Sequence, residues 1–160
     1  MTTQTITTYL WFDNNAEEAV ELYTSIFPRS RVTQVARWGE GGPAPAGTVM
    51  NIAFELDGQQ FIALNGGPQF KFTPAISLFV SCETQEEVDR YWSKFLAAGG
   101  KPTACGWLED KFGVSWQIIP KALVKLMSDP DPKRSGRVAQ ALMTMQKIDI
   151  AALERAHAGA

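Results

Sequence analysis

The chain repeats itself once. Thr8-Tyr9-Leu10-Trp11-Phe12, Asn15-Ala16-Glu17-Glu18-Ala19-Val20 and Leu22-Tyr23 return as Ser77-Leu78-Phe79-Val80-Ser81, Thr84-Gln85-Glu86-Glu87-Val88-Asp89 and Tyr91-Trp92. The copies are offset by 69 residues, so that Thr8 falls on Ser77, Asn15 on Thr84, Glu18 on Glu87 and Tyr23 on Trp92. A repeat of this length decides the architecture before any single residue is weighed, because each half must be one supersecondary unit too small to close a core alone. At 160 residues the chain is one domain or two small fused modules.

Each half reads in the same order. Residues 5–12 are β-rich and run into Asp13-Asn14-Asn15, where Asn15 and Glu18 have the spacing of a capping box. Apolar residues at 19, 20, 22, 23, 26 and 27 form one helical stripe, which Pro28 stops. A strand is expected over 31–38, then a Gly/Pro/Ala loop from Gly39 to Gly47. Residues 48–56 alternate, and Asp57-Gly58 turns them into a strand over 60–65. Asn65-Gly66-Gly67-Pro68 ends the module. The second module has a strand over 75–82, a second capping box at Thr84 and Glu87, and a helix to about 98 that Gly99-Gly100 terminates. Strands near 102–108 and 112–119 follow. Beyond Pro120 the pattern turns helical, over 121–128, about 133–146 and about 149–157. The expected fold is α+β: two tandem βαβββ modules, 1–68 and 69–120, with a helical tail over 121–160, all within one domain of residues 1–160.

Composition narrows the function. A net charge of −2 argues against a nucleic-acid partner. No apolar run approaches the roughly 18–20 residues that span a bilayer. Met1-Thr-Thr-Gln-Thr5 has neither a basic region nor an apolar core of the kind that directs export. Two cysteines, Cys82 and Cys105, make no disulfide framework. The expected setting is reducing and cytoplasmic. The apolar residues of the tail lead us to expect a homodimer.

A βαβββ unit covers one face of its sheet with the helix and leaves the other bare. Two bare faces brought together would enclose a cavity, where ligand sites concentrate. Alternation assigns Thr8, Leu10, Asn51, Ile62, Leu64, Ser77, Phe79, Ser115 and Gln117 to the uncovered faces. Of these, Thr8, Asn51, Ser77, Phe79 and Gln117, together with Trp107, are the candidate ligand-binding residues.

The paired modules and the segments Tyr9-Leu-Trp-Phe12, Asn65-Gly-Gly-Pro68, Phe79-Val-Ser-Cys-Glu-Thr84, Cys105-Gly-Trp107 and Gly113-Val-Ser-Trp-Gln-Ile-Ile-Pro120 resemble the vicinal oxygen chelate superfamily of glyoxalases, extradiol dioxygenases and bleomycin-resistance proteins. They are most similar to its PhnB-like branch, whose members often carry the name 3-demethylubiquinone-9 3-methyltransferase. The resemblance covers about the whole chain. It implies a divalent metal held by His, Glu or Gln on four strands. Counting seven residues back from the helix caps, and four past Gly58 and Gly113, puts Thr8, Ser77, Ile62 and Gln117 at those positions. Only Gln117 is a plausible ligand, since isoleucine cannot coordinate and neutral hydroxyls are poor ligands. The one histidine, His157, lies in the tail. The expectation is no metal and no other cofactor.

No catalytic residue stands out, and whether the chain is an enzyme stays open. Cys105, before Gly106-Trp107, is expected to be a buried inert thiol on a strand, since no histidine is near to activate it. Cys82 is expected in the core. Glu17-Glu18 and Glu86-Glu87 suit first helical turns. A methyltransferase would ordinarily bind S-adenosylmethionine on a Gly-rich strand-to-helix turn of a parallel α/β sheet, and the chain has no such alternation. The reading is a binder of small organic molecules, with a metal-dependent lyase or dioxygenase as the alternative.

Overall fold

The computed structural model describes residues 4–160. The segment Met1–Thr3, part of the N-terminal reading above, lies outside them. The chain divides into two compact units, one ending at Phe72 and the other running from Thr73 to Ala160.

The first unit is β1 (Thr8–Phe12), α1 (Ala16–Ile26), β2 (Arg31–Arg37), β3 (Val49–Leu56) and β4 (Gln59–Asn65). The strand order is β1-β4-β3-β2, with β1 and β4 parallel and the other pairs antiparallel. Helix α1 buries Ala19, Val20 and Tyr23 against Leu10, Phe12, Ile52, Phe54, Phe61 and Ala63. Phe54 stacks on Phe61 at 5.5 Å and meets Tyr23 at 6.4 Å between ring centroids. The Gly39–Gly47 loop is closed at its neck, where Trp38 N donates to Thr48 O and Gly47 N to Trp38 O.

The second unit repeats the plan. It comprises β5 (Ser77–Cys82), α2 (Gln85–Ala97), β6 (Lys101–Pro102), β7 (Trp107–Glu109) and β8 (Ser115–Pro120), ordered β5-β8-β7-β6. Helix α2 lays Val88, Tyr91, Trp92 and Phe95 on the sheet, and Phe95 meets Trp116 at 4.8 Å. Both units are therefore βαβββ modules, as the repeat implies.

The tail forms α3 (Lys121–Met127), α4 (Pro132–Leu142) and α5 (Ile150–Ala158). Asp131 and Asp149 cap α4 and α5, accepting from Lys133 N and Ala152 N. Helix α4 ends at Leu142 instead of 146 because the next segment pairs elsewhere. Met145 O accepts from Cys105 N at 2.9 Å and Gln146 O from Gly106 N at 2.8 Å. Ile148, Val138, Leu153, Leu123 and Ile119 form the buried core beneath these helices.

The two capping boxes fare differently. In α2, Thr84 accepts from Glu87 N at 3.2 Å, and Glu87 reaches back to Glu83 N, one residue short of the expected partner. In α1, Asn15 makes no side-chain cap bond. Asn65, at the end of β4, takes its place. Its Oδ1 accepts from Ala16 N at 2.9 Å, and its Nδ2 donates to Glu17 Oε1 and Val49 O.

Candidate functional site

The uncovered face of the second sheet is assembled by register. Phe79 pairs with Gln117, which pairs on its other side with Trp107. One step back, Ser77 pairs with Ser115, which pairs with Glu109. Side chains alternate across a strand, and paired residues share a face. Trp116 and Ile118 belong to the α2 side, so Ser115, Gln117 and Ile119 belong to the other. Ser77, Phe79, Trp107 and Gln117 thus share one face, as alternation predicts for Ser77, Phe79 and Gln117. Phe79 is 55% exposed there, a large apolar side chain that its own unit leaves bare.

At the centre Gln117 Nε2 donates to Ser77 Oγ at 2.9 Å. This bond joins adjacent strands and holds the amide, leaving Gln117 Oε1 as an acceptor and the Ser77 hydroxyl proton as a donor. Such a pair matches a group that both accepts and donates, such as a carboxylic acid, an amide or a phenol. The aromatic surfaces of Phe79 and Trp107 lie on either side of Gln117 in the same row.

The hairpin beneath this row is fixed by a carboxylate that sequence reasoning passed over. Asp110 is 3% exposed. Its Oδ1 accepts from Phe112 N and Val114 N, and its Oδ2 from Trp116 Nε1 at 2.9 Å. Those bonds set the β7–β8 turn and so the register of Trp107 on Gln117. The signal was present, since an Asp followed by Lys-Phe-Gly between two strands is a turn in which the Asp side chain takes backbone N–H groups.

In the first unit the assignment of Thr8 and Leu10 is corrected. Leu10 and Phe12 are buried on the α1 side, and Thr8 pairs with Phe61, which packs on that same side. The uncovered face carries Tyr9, Trp11, Ile62, Leu64 and Asn51 instead. Asn51 therefore stays on the uncovered face and Thr8 leaves it. The cause is the link to the helix. Asp13, Asn14 and Asn15 separate Phe12 from Ala16, whereas only Glu83 and Thr84 separate Cys82 from Gln85. With the helices aligned at an offset of 69, the strands align at 70, and one residue of slip exchanges the faces. Tyr9, 53% exposed, is the residue this slip hid. Trp11 is held by its own turn: Nε1 donates to Gly67 O at 2.9 Å, and Phe70 meets the indole edge-on. A side chain at Gly66 would place its first carbon 2.4 Å from that ring, so the turn needs glycine.

The remaining candidates lie apart from this face. Cys82 is fully buried as expected, and burial pushes its thiol up to about 12. Cys105 is a correction: it sits half-buried in a turn, not on a strand, with φ of 57°. His157 pairs with Asp129 at 2.7 Å between α5 and the α3–α4 turn. The N–H of Asp131, and then His157, hold the Asp129 carboxyl below its ordinary range. Among the described residues no three His, Cys, Asp or Glu side chains cluster as a metal site, and no helix is long and apolar enough to cross a membrane.

A family model described as 3-demethylubiquinone-9 3-methyltransferase matches residues 4–119. The chain belongs to that family. Among solved structures, a PhnB protein from Bacillus cereus bearing the same family name is 43% identical, over 71% of this chain and 97% of its own, with a TM-score of 0.65. Protein PA1353 from Pseudomonas aeruginosa is 21% identical over 71% and 95%, with a TM-score of 0.58. The fosfomycin resistance protein FosX from Listeria monocytogenes, in complex with Mn(II) and sulfate, is 15% identical over 72% and 90%, with a TM-score of 0.51. The last two show the fold alone. No curated protein matches. This PhnB-like chain carries its three-helix tail beyond the residues that the family model matches.

Proposed function

We propose that this PhnB-like protein binds a small organic molecule on the uncovered sheet face around Gln117 and does so without the superfamily metal. The observation that carries the reading is the single row Phe79–Gln117–Trp107 with Gln117 bonded to Ser77. Aromatic surfaces on either side of a fixed polar pair suit a flat ligand with a carbonyl or hydroxyl head.

A divalent ion does not fit the residues present. Of the four positions that correspond to the superfamily ligands, Ile62 has no donor atom, Thr8 lies on the opposite face, and Ser77 is a neutral hydroxyl already bonded to Gln117. His157 is engaged with Asp129 in the tail. The methyltransferase of the family name fits no better. The turns after β1 and β5, Asp13-Asn-Asn15 and Glu83-Thr84, have no glycine, and each sheet has one parallel pair only.

Mass spectrometry of small molecules that copurify with the protein tests the reading, together with titrations of Mn(II) and S-adenosylmethionine. We expect an organic ligand and no saturable binding of either titrant. About one metal per chain, lost on Gln117→Ala, would establish the metal-dependent lyase or dioxygenase instead.

A further inference from the structure

We propose that the C-terminal helices wall off the β8 side of the far end of the Gln117 face and so limit the length of the molecule that lies along that strand. The inference rests on the binding role just assigned to that face. Ser115, Gln117 and Ile119 follow one another along the same side of β8. Gln117 is half-buried and available, but Ile119, two residues on, is 5% exposed. What covers it is the tail: Ile119 shares a core with Leu123, Val138, Ile148 and Leu153, with Met145 packed against it. Helix α2 lies on the other side of the sheet, over Trp116. Along β8 the uncovered face is therefore covered at one end by α3–α5, while Ser81, which pairs with Ile119 on β5, stays exposed.

Two residues along a strand advance about 6.8 Å. A ligand head on Gln117 and Ser77 thus has room in that direction for one ring before it meets helix. The opposite end, with Ser77, Ser115 and Glu109 in one row, is polar. The face suits a compact single-ring acid or phenol whose ring points toward the tail.

The wall is latched, not loosely appended. Cys105 and Gly106, with φ of 57° and 84°, turn consecutive N–H groups onto Met145 O and Gln146 O. Any side chain at Gly106 would set its first carbon 2.7 Å from Ile119 Cδ1 and 3.0 Å from Ile148 Cγ1. The Gln85 amide grips the chain on either side of Asp149, donating to Ile148 O at 2.9 Å and accepting from Ile150 N at 2.8 Å. Lys147 pairs with Asp89 of α2 at 2.7 Å. Because the tail lies beyond the matched residues 4–119, the wall is an addition to the shared fold.

The test compares 4-hydroxybenzoate with 4′-hydroxybiphenyl-4-carboxylate, titrated into the full-length protein and into Ile119→Ala and Ile119→Val. We expect the wild type to prefer the single-ring probe by about tenfold or more, and the Ala variant, with space opened under the tail, to lose most of that preference. The milder Val variant, which keeps the fold if Ala does not, should fall between. Equal affinity for both probes in the wild type, or a preference untouched by either substitution, overturns the wall while leaving the binding face standing. Failure of both probes to bind anywhere overturns the ring-acid reading of the face and the wall with it.

Discussion

Gln117 is the residue on which the proposed site turns. Replacing it by Ala removes one hydrogen bond to a ligand head but no core packing. Ligand affinity should fall about 2- to 12-fold, from roughly 0.5 to 1.5 kcal/mol per net hydrogen bond, with the melting temperature lowered by only a few degrees through loss of the bond to Ser77. A titration paired with a melting curve reads both. Large destabilisation at constant affinity would make Gln117 a framework residue. Cys82 gives a prediction of a different kind. Its folded pKa, raised by burial from 9.0 to about 12, favours the protonated native state. The unfolded chain releases this proton above pH 9 while the native state keeps it. Stability from this group is therefore whole below pH 9 and declines toward pH 12, by about 1.4 kcal/mol per pH unit. Urea melts between pH 8 and 11 should show that slope, and Cys82→Ala should flatten it.

The elements show how far the repeat could be trusted. Ser77, Phe79 and Gln117 were legible because alternation along β5 and β8 is uninterrupted and α2 follows β5 by the shortest link. Thr8 was not, because the halves match through their helices at an offset of 69 while the strand before α1 is joined by a link one residue longer. Helix capping failed for a related reason. The pattern at Asn15 and Glu18 matches a local box, but the N-terminus of α1 lies against the end of β4, and Asn65 reaches it first. A long-range partner leaves no local spacing to read. Asn65→Ala should cost about 1–2 kcal/mol, since it removes a cap together with the bond to Val49 O, whereas Asn15→Ala should stay within about 0.5 kcal/mol. Chemical denaturation of the two variants side by side decides it, and the reverse order would return the cap to Asn15.

At the scale of the molecule, the tail leaves Val124, Met127 and Met143 exposed although its own core is closed. We propose that these side chains meet a second copy, so that the protein is a homodimer. Light scattering should give twice the chain mass of 17.6 kDa, and Val124→Glu with Met127→Glu should return the monomer. A monomer in the unsubstituted protein at high concentration ends the proposal. The other surface that invites association is the edge strand β2, with Val32 and Val35 exposed. Antiparallel self-pairing centred on Gln34 would set Arg31 against Arg37, and like charges opposite one another disfavour it. The dimer is therefore expected to form without that edge.

The longer link before α1 bears on how a chain of two copied halves acquires a site. Point substitutions refashion an inner surface one side chain at a time, and most intermediates gain nothing. A single added codon in the stretch Asp13–Asn15 exchanges inside for outside along the whole of β1 in one event, while its helix and the rest of its sheet keep their plan. Grafting the Gln117 amide into the other half could start at Ile62, which already stands on the uncovered face, but Thr8 could not supply the partner hydroxyl that Ser77 gives until that codon was removed.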